Sequence, residues 1–595
     1  MEGQKKKYTW DLSHMYKDIK DWYMDVEEAK KLSQKIISQK GIVTNSAKNL
    51  LTTLTLNDEL SIKLTSLYVY AKMYFDQDMS NAQAKELFEI IDALHTKIQD
   101  QLAFLEPELL QIDVKTLEKY VKIQPELSTY NHMFEKLFQR KEHIFTAEIE
   151  EILTKMNSLG GSFEKVYDDM TVNDIEYPEV IGSNENDIII ANNSNYYKAL
   201  NNQDRTLRKN YFQGLLGTYG KYINTITSSY YGSVKHDVFL AKTRKYKSSR
   251  QMALQENFIP EEVYDNLITT VRENVKTLHE YLDFRKKVLN LDEIHFYDLF
   301  VPIVKDIDKT YTYEEAQQLV LEATSVLGSD YTDILKEAFN HNWIDVYPAK
   351  NKVSGAYAIQ AYGYHPYSLL NFTGTLGDVF TIAHELGHVM HSYYSSKTQP
   401  YINSDYTIFT AEVASTVNEQ LLYNYLLNKS SSPEQKALLL SNHLDNIRST
   451  LYRQTLFADF ESQAHQMVEE EKPLLPEVLC NLHQELYEIY HGPEFVIDPE
   501  LKYEWARIPH FYRSFYVYQY ATGVSAAISI TSKIFNEGNA AVKKYREFLT
   551  KGGSDYSINL LKIAGVDMRS PAPILDAINN FKITLEELKN IIRPA

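Results

Sequence analysis

Apolar residues recur every three to four positions along most of this chain, the spacing that one face of an α-helix requires. Residues 18–38 show this period and are followed by Gly41, a helix stop signal. Residues 58–74 show it again, and Ser80-Asn81-Ala82-Gln83 is a capping-box pattern that predicts the start of a third helix. Helical periodicity resumes after residue 197, so we predict a mainly α protein.

The helical pattern breaks in the first third of the chain. Gly160-Gly161-Ser162 predicts the end of a helix. From residue 166 to 193 the apolar positions are separated by Asn, Asp, Pro and Gly, which predicts short strands or loops. We therefore place a boundary near residue 195, between a mostly helical N-terminal lobe (1–195) and a second domain (196–595).

Two short strands are predicted later, at residues 353–360 and 367–372. Gly363-Tyr364-His365-Pro366 between them has the composition of a turn. Such a pair can hold an extended peptide by adding it as a further strand, or it can be a plain structural hairpin. The sequence leaves both interpretations open.

Candidate chemistry follows directly after these strands, in the motif His384-Glu385-Leu386-Gly387-His388. Residues four apart on a helix point the same way, so His384 and His388 can share one metal ion. Glu385 projects beside them, close enough to act on a metal-bound water. The opposite face of this predicted helix is apolar and suits a core, through Val379, Ile382, Ala383, Leu386, Val389 and Met390.

A catalytic zinc site usually has a third protein ligand, and three candidates follow the motif: His391, Glu412 and Glu419. A metzincin would need its third histidine at position 394, where this chain has a tyrosine. Glu412 and Glu419 share one stripe of a second amphipathic helix. Glu419 also suits a role as an acceptor that orients a ligand histidine.

Gly387 lies inside the predicted helix, where glycine costs about 1 kcal/mol relative to alanine. It either permits the close approach of another element beside the metal or is a tolerated defect.

A cluster of basic residues near position 245 also has two interpretations. It could capture a substrate carboxylate or, as we expect, it is a solvated helix end. Its members are Lys242, Arg244, Lys245, Lys247 and Arg250.

Composition narrows the class of protein. The 595 residues include 62 Lys and Arg against 80 Asp and Glu, a net charge of −18 that opposes nucleic acid as the main partner. Cys480 is the single cysteine, so zinc must be held by His and carboxylate, and a reducing compartment is expected. No apolar run follows the three N-terminal lysines, so we expect no signal peptide, and no stretch reaches the roughly 20 apolar residues of a membrane span. We predict a soluble cytoplasmic protein without a membrane partner.

The motif, with Glu412 in Glu-Val-Ala-Ser-Thr downstream, resembles the oligoendopeptidase F branch of the thimet-oligopeptidase family. The resemblance extends over the second half of the chain, through Ser354-Gly355-Ala356-Tyr357, Leu370-Asn371-Phe372, Arg507-Ile508-Pro509-His510-Phe511-Tyr512 and Phe515-Tyr516-Val517-Tyr518-Gln519-Tyr520-Ala521-Thr522-Gly523. It implies a two-lobed helical zincin-type metallopeptidase with a deep substrate channel and a small β-sheet beside the active-site helix. The implied activity is zinc-dependent endopeptidase cleavage of short unstructured peptides.

The resemblance also implies roles for individual residues. His384, His388 and Glu412 would hold one Zn²⁺ per chain, and Glu385 would be the general base that takes a proton from the metal-activated water. His510 and Tyr518 would stabilise the oxyanion. Tyr512, Tyr516, Gly355 and Ala356 are predicted to bind substrate.

Two alternatives remain at this point. One is a related zinc carboxypeptidase or dipeptidyl carboxypeptidase, which would need an anchor for the substrate's terminal carboxylate. The other is a helical peptide-binding protein without activity. The oligomeric state stays open between a monomer and a homo-oligomer.

Overall fold

The structure is a computed structural model that describes residues 8–184, 186–305 and 309–593. In chain order its α-helices are α1 (Ile19–Ile37), α2 (Ala47–Gln77), α3 (Ala82–Leu102), α4 (Leu105–Leu109), α5 (Val114–Ile123), α6 (Asn131–Arg140), α7 (Ala147–Asp169), α8 (Tyr196–Leu200), α9 (Arg205–Lys221), α10 (Ile223–Thr243), α11 (Ser249–Gln255), α12 (Glu261–Glu273), α13 (Lys276–Val288), α14 (Tyr313–Thr324), α15 (Ser329–Asn340), α16 (Leu376–Thr398), α17 (Ile408–Lys429), α18 (Pro433–Ile447), α19 (Arg453–Glu469), α20 (Pro476–His491), α21 (Tyr518–Glu537), α22 (Asn539–Leu549), α23 (Ser557–Ile563) and α24 (Ala572–Ile591). The strands are β1 (Glu179–Ile181), β2 (Ile188–Ile190), β3 (Ile294–His295), β4 (Ile344–Asp345), β5 (Tyr357–Ile359), β6 (Tyr367–Leu369) and β7 (Phe495–Val496). The prediction of a mainly α protein is confirmed.

The chain forms two compact units, each assembled from three segments. The first unit contains the described residues of Met1–Glu142, Lys309–Leu422 and Lys533–Gly565. The second contains those of His143–Asp308, Tyr423–Ser532 and Val566–Ala595. The division of the linear sequence near residue 195 stays a prediction. Within the described residues, no helix combines the length and the apolarity that a membrane crossing needs.

The first three helices of the first unit form as the apolar period predicts. Asp18 caps α1 by accepting a hydrogen bond from the Lys20 amide. The predicted face of α2 is buried, through Leu60, Leu64, Leu67 and Ala71. The start of α3 differs by one residue from the capping-box prediction, because Asn81 rather than Ser80 accepts from the amides of Gln83 and Ala84.

A three-stranded sheet in the first unit includes both predicted strands, each shorter than predicted. Its order is β4-β6-β5, with β4 parallel and β5 antiparallel to β6, so β5 lies at an edge. The sheet packs against α16, as the small sheet beside the active-site helix was predicted to do. The sequence did not indicate β4, because a strand of two residues has no alternation to detect.

In the second unit, the predicted break at Gly160-Gly161-Ser162 is wrong, because α7 continues through these residues. Packing supplies the reason. A Cβ added at Gly160 would lie 2.3 Å from a ring atom of His236 on α10. Gly160 therefore allows a close helix contact instead of ending a helix. The strands predicted further on form as the antiparallel pair β1 and β2, although residues 166–169 belong to α7.

The basic cluster in the second unit is engaged in ion pairs. Arg244 donates to both carboxylate oxygens of Glu150, at 3.0 and 2.8 Å. Arg250 lies 3.1 Å from Glu261 and 2.8 Å from Asp265. These contacts favour a structural role for both arginines over carboxylate capture.

Candidate metal centre and active site

The helix that carries the motif, α16, starts at a complete capping box. The Thr375 hydroxyl accepts from the Asp378 amide at 3.1 Å, and the Asp378 carboxylate accepts from the Thr375 amide at 3.0 Å. The predicted apolar face is buried, with Val379, Ala383 and Met390 at 0% exposure. Capping and burial together fix the axis and the rotation of the helix, and so the direction of its polar face.

The second helix of the site, α17, approaches α16 at Gly387. A Cβ added at Gly387 would lie 2.5 Å from the Ser415 Cα and 2.6 Å from the Ala414 carbonyl oxygen. Real Cβ atoms are essentially never found this close to a backbone. The interpretation that Gly387 permits a close approach is therefore confirmed.

A buried hydrogen-bond relay joins the same helices. The Asn418 side-chain amide donates to the Ala383 carbonyl at 3.1 Å, and its oxygen accepts from the Tyr331 hydroxyl at 3.0 Å. Asn418 has no exposed surface. Sequence reasoning missed this residue, although its place on the buried face of α17, beside Ala414 and Leu421, could have indicated it.

Three candidate ligand atoms converge between these helices. His384 Nε2 lies 3.4 Å and His388 Nε2 3.7 Å from Glu412 Oε2, and all three atoms lie within 4.8 Å of one another. Donor atoms about 2.1 Å from a tetrahedral ion are about 3.4 Å apart, so this spacing suits one zinc-sized cation. Within the part of the chain that the structure describes, no other His, Cys, Asp and Glu side chains form such a cluster.

Glu419 sets the orientation of one of the two histidines. His384 Nδ1–H donates to the Glu419 carboxylate, so Nε2 is the ring nitrogen that faces Glu412 and that a metal ion could bind once Nε2 loses its proton. Burial lowers the pKa of His384, but the bond to Glu419 and the surrounding carboxylates raise it more, to about 9. Burial and the neighbouring His384 lower the pKa of His388 to about 4.

Glu385 is buried beside the cluster, with 7% of its surface exposed. Burial raises the pKa of its carboxyl to about 7, and the charges of His384, Glu412 and Glu419 are close enough to modify it. Its Oε2 has no hydrogen-bond partner among the described residues. A buried carboxylate oxygen without a partner is costly, and it fits a site that receives water and a cation.

His391, another candidate for the third ligand, has a different environment. It is 1% exposed, and its ring stacks on Tyr406 with centroids 3.7 Å apart. Burial lowers its pKa to about 3. These contacts give His391 a packing role, outside the cluster of His384, His388 and Glu412.

The candidate oxyanion and substrate residues near position 515 lie in the second unit. His510 is exposed, and its ring lies 6.2 Å from that of Tyr516 and 6.1 Å from that of Tyr520, between centroids. Tyr518 is 2% exposed and packs on Tyr264 with centroids 5.1 Å apart. The Tyr518 hydroxyl is therefore less accessible than the His510 and Tyr516 side chains, and sequence reasoning did not single out Tyr520.

The other three predicted substrate residues, Tyr512, Gly355 and Ala356, lie in different environments. The Tyr512 hydroxyl is buried, and its ring packs on Tyr167 with centroids 4.9 Å apart. Gly355 is exposed, with φ at +83°, and its carbonyl accepts from the Asn371 side chain at 2.8 Å. Ala356 follows it directly and leads into the edge strand β5.

Comparison with known proteins decides the family. A family model described as Peptidase family M3 matches residues 199–580, and one described as Oligopeptidase F matches residues 108–177. The chain belongs to peptidase family M3. It is 41% identical to oligopeptidase PepF of Bacillus subtilis, over 98% of this chain and 87% of that protein.

Two further proteins are similar to this chain over nearly its whole length. The group B oligopeptidase PepB of Streptococcus agalactiae is 36% identical, over 99% of this chain and 97% of that protein. The crystal structure of oligoendopeptidase-F from Enterococcus faecium aligns with a TM-score of 0.74 and 32% identity, over 97% of this chain and 99% of that one. The predicted resemblance and the prediction of a metallopeptidase are thereby confirmed.

Proposed function

We propose that this chain is a zinc-dependent oligoendopeptidase that hydrolyses internal bonds of short unstructured peptides. The observation that carries the proposal is the convergence of His384 Nε2, His388 Nε2 and Glu412 Oε2, with Glu385 buried beside them. The names of its relatives, an oligopeptidase and an oligoendopeptidase, support this substrate class.

The ligand set supports zinc as the metal. Two imidazoles and one carboxylate, without a thiolate, are typical of catalytic zinc sites that keep one position open for water. When bound there, zinc would supply Lewis acidity, which lowers the pKa of water and polarises a carbonyl. His384, His388 and Glu412 would hold it, and Glu419 would keep the His384 ring in the required tautomer.

Glu385 is proposed as the general base. Its unpartnered Oε2 can accept a proton from the attacking water and then deliver it to the leaving amine. Its pKa of about 7 in the metal-free site lies between those of water and of a free carboxylic acid. A base with a pKa near the working pH can take up and release a proton in one cycle.

Residues around position 515 are proposed to supply hydrogen-bond donors for the developing oxyanion. His510 and Tyr516 present exposed and half-exposed polar groups next to each other, which supports them in this role. Tyr512 and Tyr518 stay proposed members of the same group. For Tyr518 the role requires its buried hydroxyl to become accessible when a peptide binds.

The edge strand β5 is proposed to hold the peptide backbone. Within the described residues β5 pairs with β6 alone, so its other edge offers amide and carbonyl groups to an extended peptide. Gly355 and Ala356 directly precede β5, and the positive φ of Gly355 turns the chain into the strand. A cytoplasmic location is proposed as well, supported by the single, buried Cys480.

The proposal is tested with a pool of peptides blocked at both ends and mass spectrometry of the products. We expect cleavage at internal bonds, its loss after dialysis against a chelator, and its recovery with stoichiometric zinc. Cleavage of only unblocked peptides would identify an exopeptidase instead. Equal cleavage with and without the chelator would refute the metal-dependent mechanism.

Glu419 provides a separate prediction about zinc affinity. Glu419→Ala removes the acceptor of His384 Nδ1–H, and loss of such a contact costs about 10- to 100-fold in metal affinity. Glu419→Gln keeps a side-chain oxygen that can accept this bond, so it should lose less. Zinc dissociation constants from competition with a chromophoric chelator measure both, and equal affinities of Glu419→Ala and the unchanged protein would exclude the orienting role.

A further inference from the structure

The segment between Pro509 and Val517 in the second unit has an irregular backbone. It links a short 3₁₀ turn, Pro509–Tyr512, to the start of α21. Phe515, near its C-terminal end, has φ at +58°, in the left-handed region that residues other than glycine rarely adopt. His510 and Tyr516 lie on either side of this bend, so the bend sets where their side chains point.

Two carboxylates from different helices hold consecutive residues of the bend. Glu461 of α19 accepts from the Phe515 amide at 2.7 Å through Oε1. Asp237 of α10 accepts from the Ser514 hydroxyl through Oδ2. Glu461 is completely buried, and burial raises the pKa of its carboxyl to about 8. The strained Phe515 therefore has a buried carboxyl oxygen as the acceptor for its own amide.

His465 lies between the Asp237 carboxylate and the backbone of Glu461. Its Nδ1 lies 2.9 Å from the Glu461 carbonyl oxygen and its Nε2 lies 3.2 Å from Asp237 Oδ2. Both partners accept hydrogen bonds, so both ring nitrogens donate and the ring is an imidazolium. Burial lowers the pKa of His465, but the bond to Asp237 and the charge of that carboxylate raise it more. The Phe515 ring packs on this imidazole, with centroids 4.6 Å apart.

The contacts of Glu461 are not those expected of a residue that only stabilises the fold. Glu461 Oε2 is buried without a hydrogen-bond partner among the described residues. A buried carboxyl group that is only partly satisfied is often less stabilising than an apolar residue of the same size. Its retention fits a requirement for one specific backbone conformation rather than for packing.

We infer that Asp237, Glu461 and His465 are positioning residues that hold the Ser514-Phe515 bend, so that His510 and Tyr516 keep the place from which they contact the peptide. This inference rests on the proposed function, because it assigns the positioned residues to the peptide-cleaving site. None of the three belongs to the cluster of His384, His388 and Glu412. They act through the backbone of the bend.

The test compares two substitutions of Glu461. Glu461→Gln keeps an oxygen that can accept from the Phe515 amide, whereas Glu461→Leu has no acceptor. We expect Glu461→Gln to keep kcat/KM within about threefold and Glu461→Leu to lose about 10- to 100-fold, mainly in kcat, with zinc content unchanged. Glu470 is an exposed glutamate one residue beyond α19, and Glu470→Leu is the control. Its kcat/KM and zinc content should equal those of the unchanged protein.

A readout without activity separates this inference from the proposed function. Hydrogen exchange of the peptide that covers residues 509–517 should be about 10-fold faster in Glu461→Leu than in Glu461→Gln. If exchange is faster in Glu461→Leu but the unchanged protein cleaves no peptides, the proposed function is refuted, while the conclusion that Glu461 holds the bend still stands. Equal exchange in both variants would overturn the inference.

A mutant cycle tests whether Glu461 acts through His510 and Tyr516. The background His510→Ala with Tyr516→Phe removes both positioned polar groups, so adding Glu461→Leu should lower kcat/KM no further. Multiplicative losses in this background would overturn the inference. If Glu461→Leu does not fold, Ser514→Ala removes only the bond to Asp237, and the activity loss that it causes should likewise disappear in the same background.

Discussion

Glu385→Gln should keep zinc and lower kcat/KM by about 10³-fold or more. Gln has the shape of Glu but cannot accept a proton from water, and general-base catalysis contributes about 10²- to 10⁴-fold. The ligand atoms of His384, His388 and Glu412 are unchanged, so the metal affinity should stay the same. The zinc content is measured after dialysis, and kcat/KM is measured by the hydrolysis of a quenched fluorescent peptide.

Glu385→Gln should also change how the stability of the metal-free protein depends on pH. Burial raises the pKa of Glu385 from 4.5 to about 7, so the folded state keeps a proton that the unfolded state loses between these pH values. The unfolded state therefore binds fewer protons there, and this group lowers the free energy of unfolding as the pH rises from about 4.5 to 7. Metal-free Glu385→Gln should lack this decrease and be the more stable protein at pH 8.

Glu385→Asp completes the comparison. It keeps a carboxylate but withdraws it by one methylene, so partial activity should remain and exceed that of Glu385→Gln. Unchanged turnover in Glu385→Gln would refute the assignment of the base. Loss of zinc in that variant would mean that Glu385 is a ligand instead.

The fold could be predicted where local sequence alone decides the structure. The buried face of α2 and the caps of α1 and α18 follow from the spacing of apolar residues and from single side chains such as Asp18 and Ser432. The continuation of α7 through Gly160 could not be predicted, because it depends on the ring of His236 from another helix. Glycine signals a break only when no neighbour fills the space that its missing side chain leaves.

The candidate site likewise contains residues that the sequence could predict and residues that it could not. His384, Glu385 and His388 lie on one helix, so their spacing predicts their convergence. Glu412 lies on a second helix, and the residues alone left it as one of three candidates until the family resemblance was considered. Asn418, which joins the helices, lies on the apolar face of α17, and this position indicates burial but not its partners Ala383 and Tyr331, which lie on other helices.

The burial of individual tyrosines was also outside the reach of the sequence. Tyr516 and Tyr518 lie two residues apart in a segment rich in aromatic residues, and neither composition nor spacing separates them. The bend at Phe515 and the start of α21 make Tyr516 accessible and bury Tyr518 against Tyr264. Which tyrosine is accessible therefore depends on a backbone conformation whose hydrogen bonds run to Asp237 and Glu461 on other helices.

Gly387→Ala should lower zinc affinity by more than about 100-fold and destabilise the protein, although alanine favours a helix. The new Cβ would lie 2.5 Å from the Ser415 Cα, where carbon atoms need about 3.5 Å or more, so α17 must move by about 1 Å. Glu412 lies one turn before Ser415 on the same helix and moves with it. Metal ligands tolerate displacements of only about 0.2 Å, so the third ligand is lost from the cluster.

Gly377→Ala is the matched control, because Gly377 lies in the same helix with space for a side chain. Its added Cβ would meet only the Thr375 hydroxyl oxygen, at 3.5 Å, an ordinary contact. Gly377→Ala should therefore keep full zinc affinity and gain about 0.4–1 kcal/mol of stability, whereas overpacking at Gly387 costs about 1–3 kcal/mol. Thermal unfolding and zinc titration of both variants give the comparison, and equal zinc affinity in the two would mean that the approach of α17 to Gly387 does not set the position of Glu412.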